Sequence, residues 1–503
     1  MANLIFCFDG TCNDVEDAAQ GETPSGGTED NNITNVLKLH LLFGGDLRDG
    51  QRHFDDQLSL YYPGVGTYGR KIKQVFNAAL ALTDVGRIIK NARDDLRQYH
   101  CPGDKVFVFG FSRGAAIARR FCSVISKENE FSGIRIALLC VFDTVASFGM
   151  PDLSEERRPN SDVLFENCTI APNIDQALHL VSINDRRKAF QPTLMNDEAR
   201  VTEVWFAGAH SDVGGGYRRD GLSDICLRFV LDEIERRDTG LKKLAPNRIV
   251  FEELTDGEDR ADLQLDDVLI EPNAFGINHE QKRMWPISMF TLYDRHVTRI
   301  KDDEIAAEPL PVVHHSVAER IYADSEYRPQ GLRRAHSILN IDGGLSAFDN
   351  LAHHLEVGMR PLLPLDVSEP RTIPVFAHQL YNRTGLLLEK GRRYRFSVTA
   401  ERTWRDASIE CNGDGWDRDH PDIRWFKDVG VAMMEPFRRF PEAKWFTLIG
   451  GVGDQDQELF AIGQGGTQYI PENSGEFCPF ANDLKRMYGN NDGFLYVTVE
   501  RMP

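Results

Sequence analysis

From Leu4 to Ala207 the chain alternates short apolar runs with segments of helical period. The runs Leu4 to Phe8, Ser59 to Tyr62, Val106 to Phe109, Ile136 to Phe142 and Val201 to Ala207 are rich in β-branched and aromatic residues. Between them, residues around Asn32 to Phe43 and Gly86 to Tyr99 carry apolar positions at helical spacing, and Ala115 to Arg119 begin a third helix. Apolar strands alternating with helices predict βαβ units, hence a mostly parallel sheet with helices on both faces. Ligands of such sheets collect beyond the carboxyl ends of the strands. Polar or glycine-rich clusters follow four of the runs: Asp9-Gly10-Thr11, Gly110 to Gly114, Asp143-Thr144 and Gly208 to Tyr217.

Further along, residues 252–271 are acidic and weakly patterned, and they precede an apolar stretch with Trp285, Met289, Phe290 and Tyr293. Two readings compete for the region 240–310: a cap or lid over the site, or a helix supplying ordinary core residues. Pro361, Pro364, Pro370 and Pro374 then break the pattern and mark a domain boundary. This divides the chain into 1–365 and 371–503. In the second part, strand-like runs at Tyr394 to Thr399, Phe446 to Gly450, Leu459 to Ile462 and Leu495 to Val499 are punctuated by Gly, Asn and Asp. They predict an antiparallel, all-β sandwich. The expected fold class is therefore α/β, with a C-terminal all-β sandwich.

A chain of 503 residues has room for two full cores. No stretch approaches the roughly 20 apolar residues that cross a bilayer, and Met1 to Thr11 enter a strand pattern without a signal-peptide layout. The expectation is synthesis in the cytoplasm and, for any export, a signal-independent machine. The nine cysteines are odd in number and lack C-x-x-C spacing. Those in apolar runs (Cys7, Cys122, Cys140 and Cys226) read as reduced core residues. The net charge of −19 sits almost wholly in the first 370 residues, because from Arg371 onward 17 basic residues nearly balance 19 acidic ones. Nucleic acid is thereby excluded as a partner. An anionic membrane would have to be met by local apolar or basic patches or a bridging cation.

Chemistry concentrates in K-V-F-V-F-G-F-S-R-G-A-A-I-A-R, residues 105–119. A bare G-x-S-x-G is weak evidence, but a strand before it and a helix after it make a nucleophile elbow. Gly110 and Gly114 lack the β-carbons that would clash in so sharp a turn. Ser112 would project from the tip, with the Arg113 N–H at the helix N-terminus available to a developing oxyanion. The order Ser, acid, His then selects Asp143, ending the run L-L-C-V-F-D, and His210 in W-F-A-G-A-H-S-D-V-G-G-G-Y. Asp212 is a rival acid that would otherwise bind a metal or hold the glycine-rich loop. His314 and His315 are rival bases, read as structural beside a Ser316 N-cap. Gly10 and Thr11 would give a second oxyanion donor, with Asp9 ordering their loop. A D-x-D-G-T phosphatase reading fails because Cys7 stands where its nucleophilic aspartate belongs.

These residues carry a resemblance. F-D-G-T-C-N at 8–13, Y-Y-P-G-V-G-T at 61–67, G-F-S-R-G-A at 110–115, F-D-T-V-A-S at 142–147, F-A-G-A-H-S-D-V-G-G-G-Y at 206–217 and H-S-V-A-E-R at 315–320 resemble the successive motifs of type VI secretion lipase effectors. The resemblance spans about the first 320 residues. It implies an α/β-hydrolase domain with a Ser112, Asp143, His210 triad and no cofactor for hydrolysis. It also implies membrane phospholipid as substrate, secretion-apparatus and immunity proteins as partners, and action as an antibacterial toxin in the target-cell periplasm. A carboxylesterase acting on a non-lipid ester, or a catalytically silent glycan-binding protein, are the alternatives.

In the second part, N-D-L-K-R-M-Y-G-N-N-D-G at 482–493 is rich in oxygen ligands. Asp483, Asn490 and Asn491, with carbonyls near Met487, form a candidate calcium site; the same residues also read as a hairpin turn. Together with R-D-H-P-D at 418–422, F-T-L-I-G-G-V-G at 446–453 and the closing G-F-L-Y-V-T-V, this stretch resembles the calcium-dependent galactose-binding lectins of the LecA type. That resemblance implies calcium held by Asp483, Asn490 and Asn491 and a glycan ligand touched by His420. Ile423 departs from the pattern, because the lectins place a polar sugar contact there. A sandwich that has lost its ligand and serves in docking or targeting is the other reading.

Overall fold

The computed structural model describes residues 2–10, 33–48, 53–64, 78–146, 168–217, 221–254, 263–280, 292–324, 327–348, 354, 362–367, 369–398, 402–421 and 433–503. The chain divides into two compact units, Met1–Gly358 and Met359–Pro503.

The first unit is built on one ten-stranded sheet. Its strands are β1 (Asn3–Phe8), β2 (His53–Phe54), β3 (Gln57–Tyr62), β4 (Lys105–Phe111), β5 (Ile136–Phe142), β6 (Ala177–Ser182), β7 (Val201–Phe206), β10 (Val312–His314), β11 (His336–Leu339) and β12 (Leu345–Phe348); β8 (Arg299–Lys301) and β9 (Glu304–Ala306) pair separately as a hairpin. The order across the sheet is β12-β11-β10-β7-β6-β5-β4-β1-β3-β2. Every neighbour from β11 to β3 runs parallel, while β12 and β2 close the two edges antiparallel. Such a sheet needs crossover helices: α1 (Asn35–Leu42), α2 (Ala78–Tyr99), α3 (Ser112–Lys127), α4 (His210–Gly214) and α5 (Gly221–Arg236) supply them.

The two-residue period of a strand sorts the core into two faces. On β1, Leu4, Phe6 and Phe8 join one buried cluster with Val106 and Val108 of β4, Ile88 and Leu96 of α2, and Ile117 and Phe121 of α3. Ile5 and Cys7 point the other way, into a cluster with Phe107 and Phe109, Val36 and Leu39 of α1, and Leu227 and Val230 of α5. Each fully buried side chain of this kind contributes about 1.5–3 kcal/mol. Cys7, Cys122, Cys140 and Cys226 are free and buried, and burial pushes their thiols up.

Among the elements that escaped the sequence pattern are β6 and α5. Strand β6 is fully buried, but A-L-H-L-V-S carries a histidine that interrupts the apolar run. Helix α5 buries residues on most of its circumference, which blurs its amphipathic period. The region 240–310 lies partly outside the described residues, including Trp285, Met289 and Phe290 of the expected cap. Its described residues Leu263, Val268, Ala274, Val297 and Ile300 are buried in the core, whereas Tyr293 is half exposed. The helix expected to start at a Ser316 cap runs Val-ward from His315 (His315–Ala323), because the His314 ring accepts the Ser316 N–H and so does the capping itself. No helix of the described residues is long and apolar enough to cross a membrane.

The second unit is all-β. Its strands are β13 (Leu363–Pro364), β14 (Arg371–Phe376), β15 (Leu386–Leu388), β16 (Tyr394–Val398), β17 (Trp404–Asp406), β18 (Ile409–Cys411), β19 (Leu448–Gly451), β20 (Leu459–Ala461), β21 (Gly465–Tyr469), β22 (Gly475–Glu476), β23 (Phe480–Ala481) and β24 (Asn491–Arg501). The long β24 pairs antiparallel with β14, β16 and β17. Leu495, Val497 and Val499 alternate inward to meet Phe396, Trp404, Phe446, Leu448 and Phe477 of the surrounding sheets. Pro374 sits inside β14, which pairs with β24 alone; an edge strand tolerates the missing N–H.

Candidate active site

Strand β4 ends at Phe111 and α3 begins at the next residue, Ser112, with no intervening loop. So abrupt a turn forces Ser112 to φ = 57°, in the left-handed region, a conformation that costs about 1–3 kcal/mol for a residue with a side chain. Only glycine fits beside it. A β-carbon on Gly110 would lie 2.7 Å from Ala115 Cα, and one on Gly114 would lie 2.2 Å from the Asp9 carbonyl oxygen. The end of β5 is also bent sharply, with Asp143 at φ = 38°.

These turns bring together three residues separated by nearly a hundred positions. His210, the first residue of α4 after β7, has Nε2 2.7 Å from Ser112 Oγ. Its Nδ1 is 2.6 Å from Asp143 Oδ2. All three side chains are buried, and the rings of Phe111 and Phe190 lie 4.6 and 5.0 Å from the His210 ring. The backbone holds the acid turn in place: Ser182 N–H donates to Asp143 Oδ1 at 3.0 Å, and Val145 N–H donates to the Ser112 carbonyl at 3.2 Å.

Burial alone would raise the Asp143 carboxyl, but the Arg295 guanidinium and His210 hold it well below the usual carboxylate range. Arg295 is itself buried and donates to Asp143 through Nη1 (2.7 Å) and Nη2 (3.0 Å), and to the Ser182 carbonyl at 2.8 Å. Burial lowers the His210 imidazole below its ordinary value, against the opposing pull of Asp143. A second acid, Asp185, accepts the His210 backbone N–H at 3.2 Å and pairs with Arg187 at 2.6 Å. The arrangement is that of a neutral imidazole ready to take a hydroxyl proton, with an ionised carboxylate behind it.

The rival residues are engaged elsewhere. Asp212 accepts the Ala209 N–H at 2.7 Å and the His279 ring at 2.6 Å, and Tyr217 stacks on His279 at 3.8 Å. It ties the glycine-rich loop down. Among the described residues, no group of three His, Cys, Asp or Glu is placed to hold a metal ion. His314 bonds Ser316 Oγ at 2.9 Å and stacks on Phe206, and His315 reaches Glu319 at 3.4 Å. Of the expected oxyanion donors, Arg113 is the second residue of α3. The Gly10 N–H instead donates to Asp9 Oδ1 at 2.6 Å, because Asp9 is fixed by Thr34 (2.7 Å) and Tyr61 (2.6 Å). Thr11 lies outside the described residues.

Sequence reasoning missed Asp185, Arg187 and Arg295. The first two belong to I-N-D-R-R, directly beyond β6. Reading Ala177–Ser182 as a strand would have exposed a fifth polar cluster at the carboxyl ends. Arg295 had no local signal.

In the second unit, Asp483 is buried and accepts the Leu484 N–H at 2.6 Å and Asn491 Nδ2 at 3.1 Å. Asn490 Nδ2 donates to Asp406 Oδ1 at 2.9 Å. Asn491 is fully buried, and its Oδ1 has no hydrogen-bond partner among the described residues. Asp406 faces Asn491 across β17 and β24, and burial together with the Asp483 charge pushes its carboxyl up to about 7. The Asp483 carboxyl is also raised by burial. His420 lies in a separate turn, where its N–H donates to the Asp417 carbonyl at 3.1 Å. Ile423 lies outside the described residues.

Residues 2–132 and 125–233 match the family described as the type VI secretion phospholipase effector Tle1-like catalytic domain. Residues 2–233 of the first unit are thus similar to that catalytic domain. That segment contains Ser112, Asp143 and His210, while Arg295 lies beyond the matched residues. A protein of Saccharomyces cerevisiae, uncharacterized protein YEL023C, is 30% identical over 143 residues, which is 26% of this chain and 18% of that protein. The chain thus spans about a fifth of that relative. Among solved structures, the Tle1 effector bound to the VgrG spike is 20% identical, with 43% of this chain and 51% of that chain covered and a TM-score of 0.29. The N-terminal domain of EclA, a PllA-like lectin, is 18% identical, with 26% of this chain and 94% of that chain covered and a TM-score of 0.19. Likenesses at these TM-scores assign no function.

Proposed function

We propose that the Tle1-like domain is a serine hydrolase of phospholipid acyl esters. One observation carries this reading: Ser112, strained on its elbow, stands 2.7 Å from a buried imidazole whose other nitrogen meets a buried carboxylate. Ser112 Oγ attacks the acyl carbonyl carbon as His210 Nε2 takes the hydroxyl proton. Asp143 accepts the Nδ1–H, which fixes the tautomer and stabilises the imidazolium. The Arg113 N–H at the start of α3 stabilises the oxyanion. Gly10 and Thr11 join it when the Gly10 N–H turns away from Asp9. The tetrahedral intermediate collapses as His210 returns its proton to the leaving lysolipid oxygen. Water, activated by the same imidazole, then releases the fatty acid.

The family supports delivery by a type VI secretion machine, with a secretion-apparatus protein as partner. Antibacterial action in a target-cell periplasm, and an immunity protein in the producing cell, extend the same reading. For the second unit we propose a calcium-stabilised, lectin-like module that directs the hydrolase to a glycan or membrane surface. The unpartnered, fully buried Asn491 Oδ1 beside the Asp483 carboxylate suits a hard cation, which takes oxygen ligands. Asp483, Asn490 and Asn491 would hold it, and His420 would meet the sugar.

Fatty-acid release from mixed phospholipid vesicles by the full chain and by Ser112→Ala tests the proposal. Release by the wild type and none by the variant is expected. Turnover of small soluble esters without lipid release would favour a non-lipid carboxylesterase. Glycan binding with no esterase activity would favour a silent binding protein.

A further inference from the structure

Asp143 is an expensive residue to bury. A carboxylate removed from water takes up a proton unless a cation and hydrogen bonds compensate it, and a protonated Asp143 would no longer accept from a His210 that must gain charge in the reaction. The partner that prevents this is Arg295, which reaches the acid from residues 292–297, far from any motif. Its guanidinium spans both carboxylate oxygens at 2.7 and 3.0 Å and also donates to the carbonyls of Ser182 and Phe190. The backbone behind it is fixed as well: Val297 N–H donates to the Gly331 carbonyl at 3.2 Å, and a β-carbon on Gly331 would lie 2.4 Å from the Arg295 carbonyl oxygen.

We propose that Arg295 is a positioning residue that keeps Asp143 charged and aimed at His210, and thereby sets the lower pH limit of the reaction; this rests on the serine-hydrolase reading above. The fork geometry matters as well as the charge. One oxygen of Asp143 is shared between Arg295 and His210, so rotation of the carboxylate would break both contacts. The other oxygen is held by Arg295 and the Ser182 N–H. A lysine offers a point charge without that planar grip.

The remaining ionisable neighbours do not replace it. Arg187 lies near His210 but pairs with Asp185, whose carboxylate holds the His210 backbone N–H. Behind the acid turn, His179 accepts the Thr144 N–H at 3.3 Å through Nε2 and bonds Glu203 at 2.8 Å through Nδ1. The cluster around the triad therefore loses net positive charge if Arg295 is neutralised, and the Asp143–His210 pair then binds its proton more tightly. The sign follows: the pH at which the imidazole becomes free to act moves up.

The test is the rate at which a fluorophosphonate labels the full chain between pH 4.5 and 9. Wild type, Arg295→Gln, Arg295→Met and Arg295→Lys are compared, with Ser112→Ala as blank and thermal melting as the folding control. For Arg295→Gln the acid limb should rise by about one pH unit or more, and the plateau rate should fall by up to about 100-fold. Arg295→Lys should keep the limb near that of the wild type while losing rate. If Arg295→Met does not fold, the glutamine variant, which keeps hydrogen bonds and drops the charge, still decides. A neutral variant that labels more slowly with an unmoved limb would reduce Arg295 to a packing role and overturn the inference alone. A wild type that never labels would overturn the serine-hydrolase reading beneath it.

Discussion

The two units bury carboxylates in opposite ways. In the first unit three buried acids each have a cation of their own: Asp143 has Arg295, Asp185 has Arg187, and Asp224 has the fully buried Lys38 at 2.9 Å. Asp143 and Asp185 accordingly stay below the usual carboxylate range despite burial. In the second unit Asp406 and Asp483 lie near each other, form no ion pair among the described residues, and are pushed up. Arg439, whose charge reaches Asp483, is committed to Asp456 at 2.6 Å. A buried charge is stable only when matched. The buried charge of Asp143 is therefore matched within the first unit, whereas Asp406 and Asp483 have no such match among the described residues.

Four experiments would break or sharpen that contrast. The largest effect is expected for Asp143→Asn, which keeps the shape of the acid and removes its charge; kcat should fall by about 10⁴-fold. Retained activity would mean that the charge-matched site is not where reaction occurs. Next is calcium. Added to chelator-treated protein, it should raise the melting transition of the second unit by roughly 3–8 °C, and Asp483→Asn should remove that rise; identical melting with calcium and with chelator would leave the second unit without its cation. Third, kcat/KM should increase with pH along an acid limb whose midpoint lies below the ~6.5 of an ordinary histidine. The base is neutral imidazole, and burial lowers its proton affinity, so the active form persists to lower pH. A midpoint above the ordinary value would contradict the burial argument. The smallest change is for His314→Ala, which should cost about 1 kcal/mol through loss of a helix cap while leaving turnover within about twofold. A large loss of turnover would reinstate His314 as a base.

Much of the first site was legible because its geometry is local. The elbow needs glycine on both sides of Ser112, and those glycines stand in the sequence four positions apart. Asp143 and His210 follow strands whose apolar runs end abruptly, so their placement at one edge of the sheet follows from strand polarity alone. The failures have physical causes too. Strand β6 hid behind His179, which is buried because Glu203 and the Thr144 N–H satisfy its ring, a compensation that no window of sequence reveals. The helix after β10 starts two residues early because a histidine ring at the cap does the work expected of a serine hydroxyl. Asp406 was invisible beside Asp483 because strand pairing, not spacing, brings them together.

The sequence by itself determined the alternating βαβ order, the break into an α/β and an all-β part, and the candidate serine, acid and histidine, since strand period, turn sterics and chain order are local or sequential properties. Tertiary structure alone decided which charges face one another. The Arg295 guanidinium meets Asp143 across 152 positions, and the Asp406 and Asp483 carboxylates approach without a counter-ion among the described residues. Electrostatic energy depends on distance and burial in space, and neither is written in the order of residues along the chain.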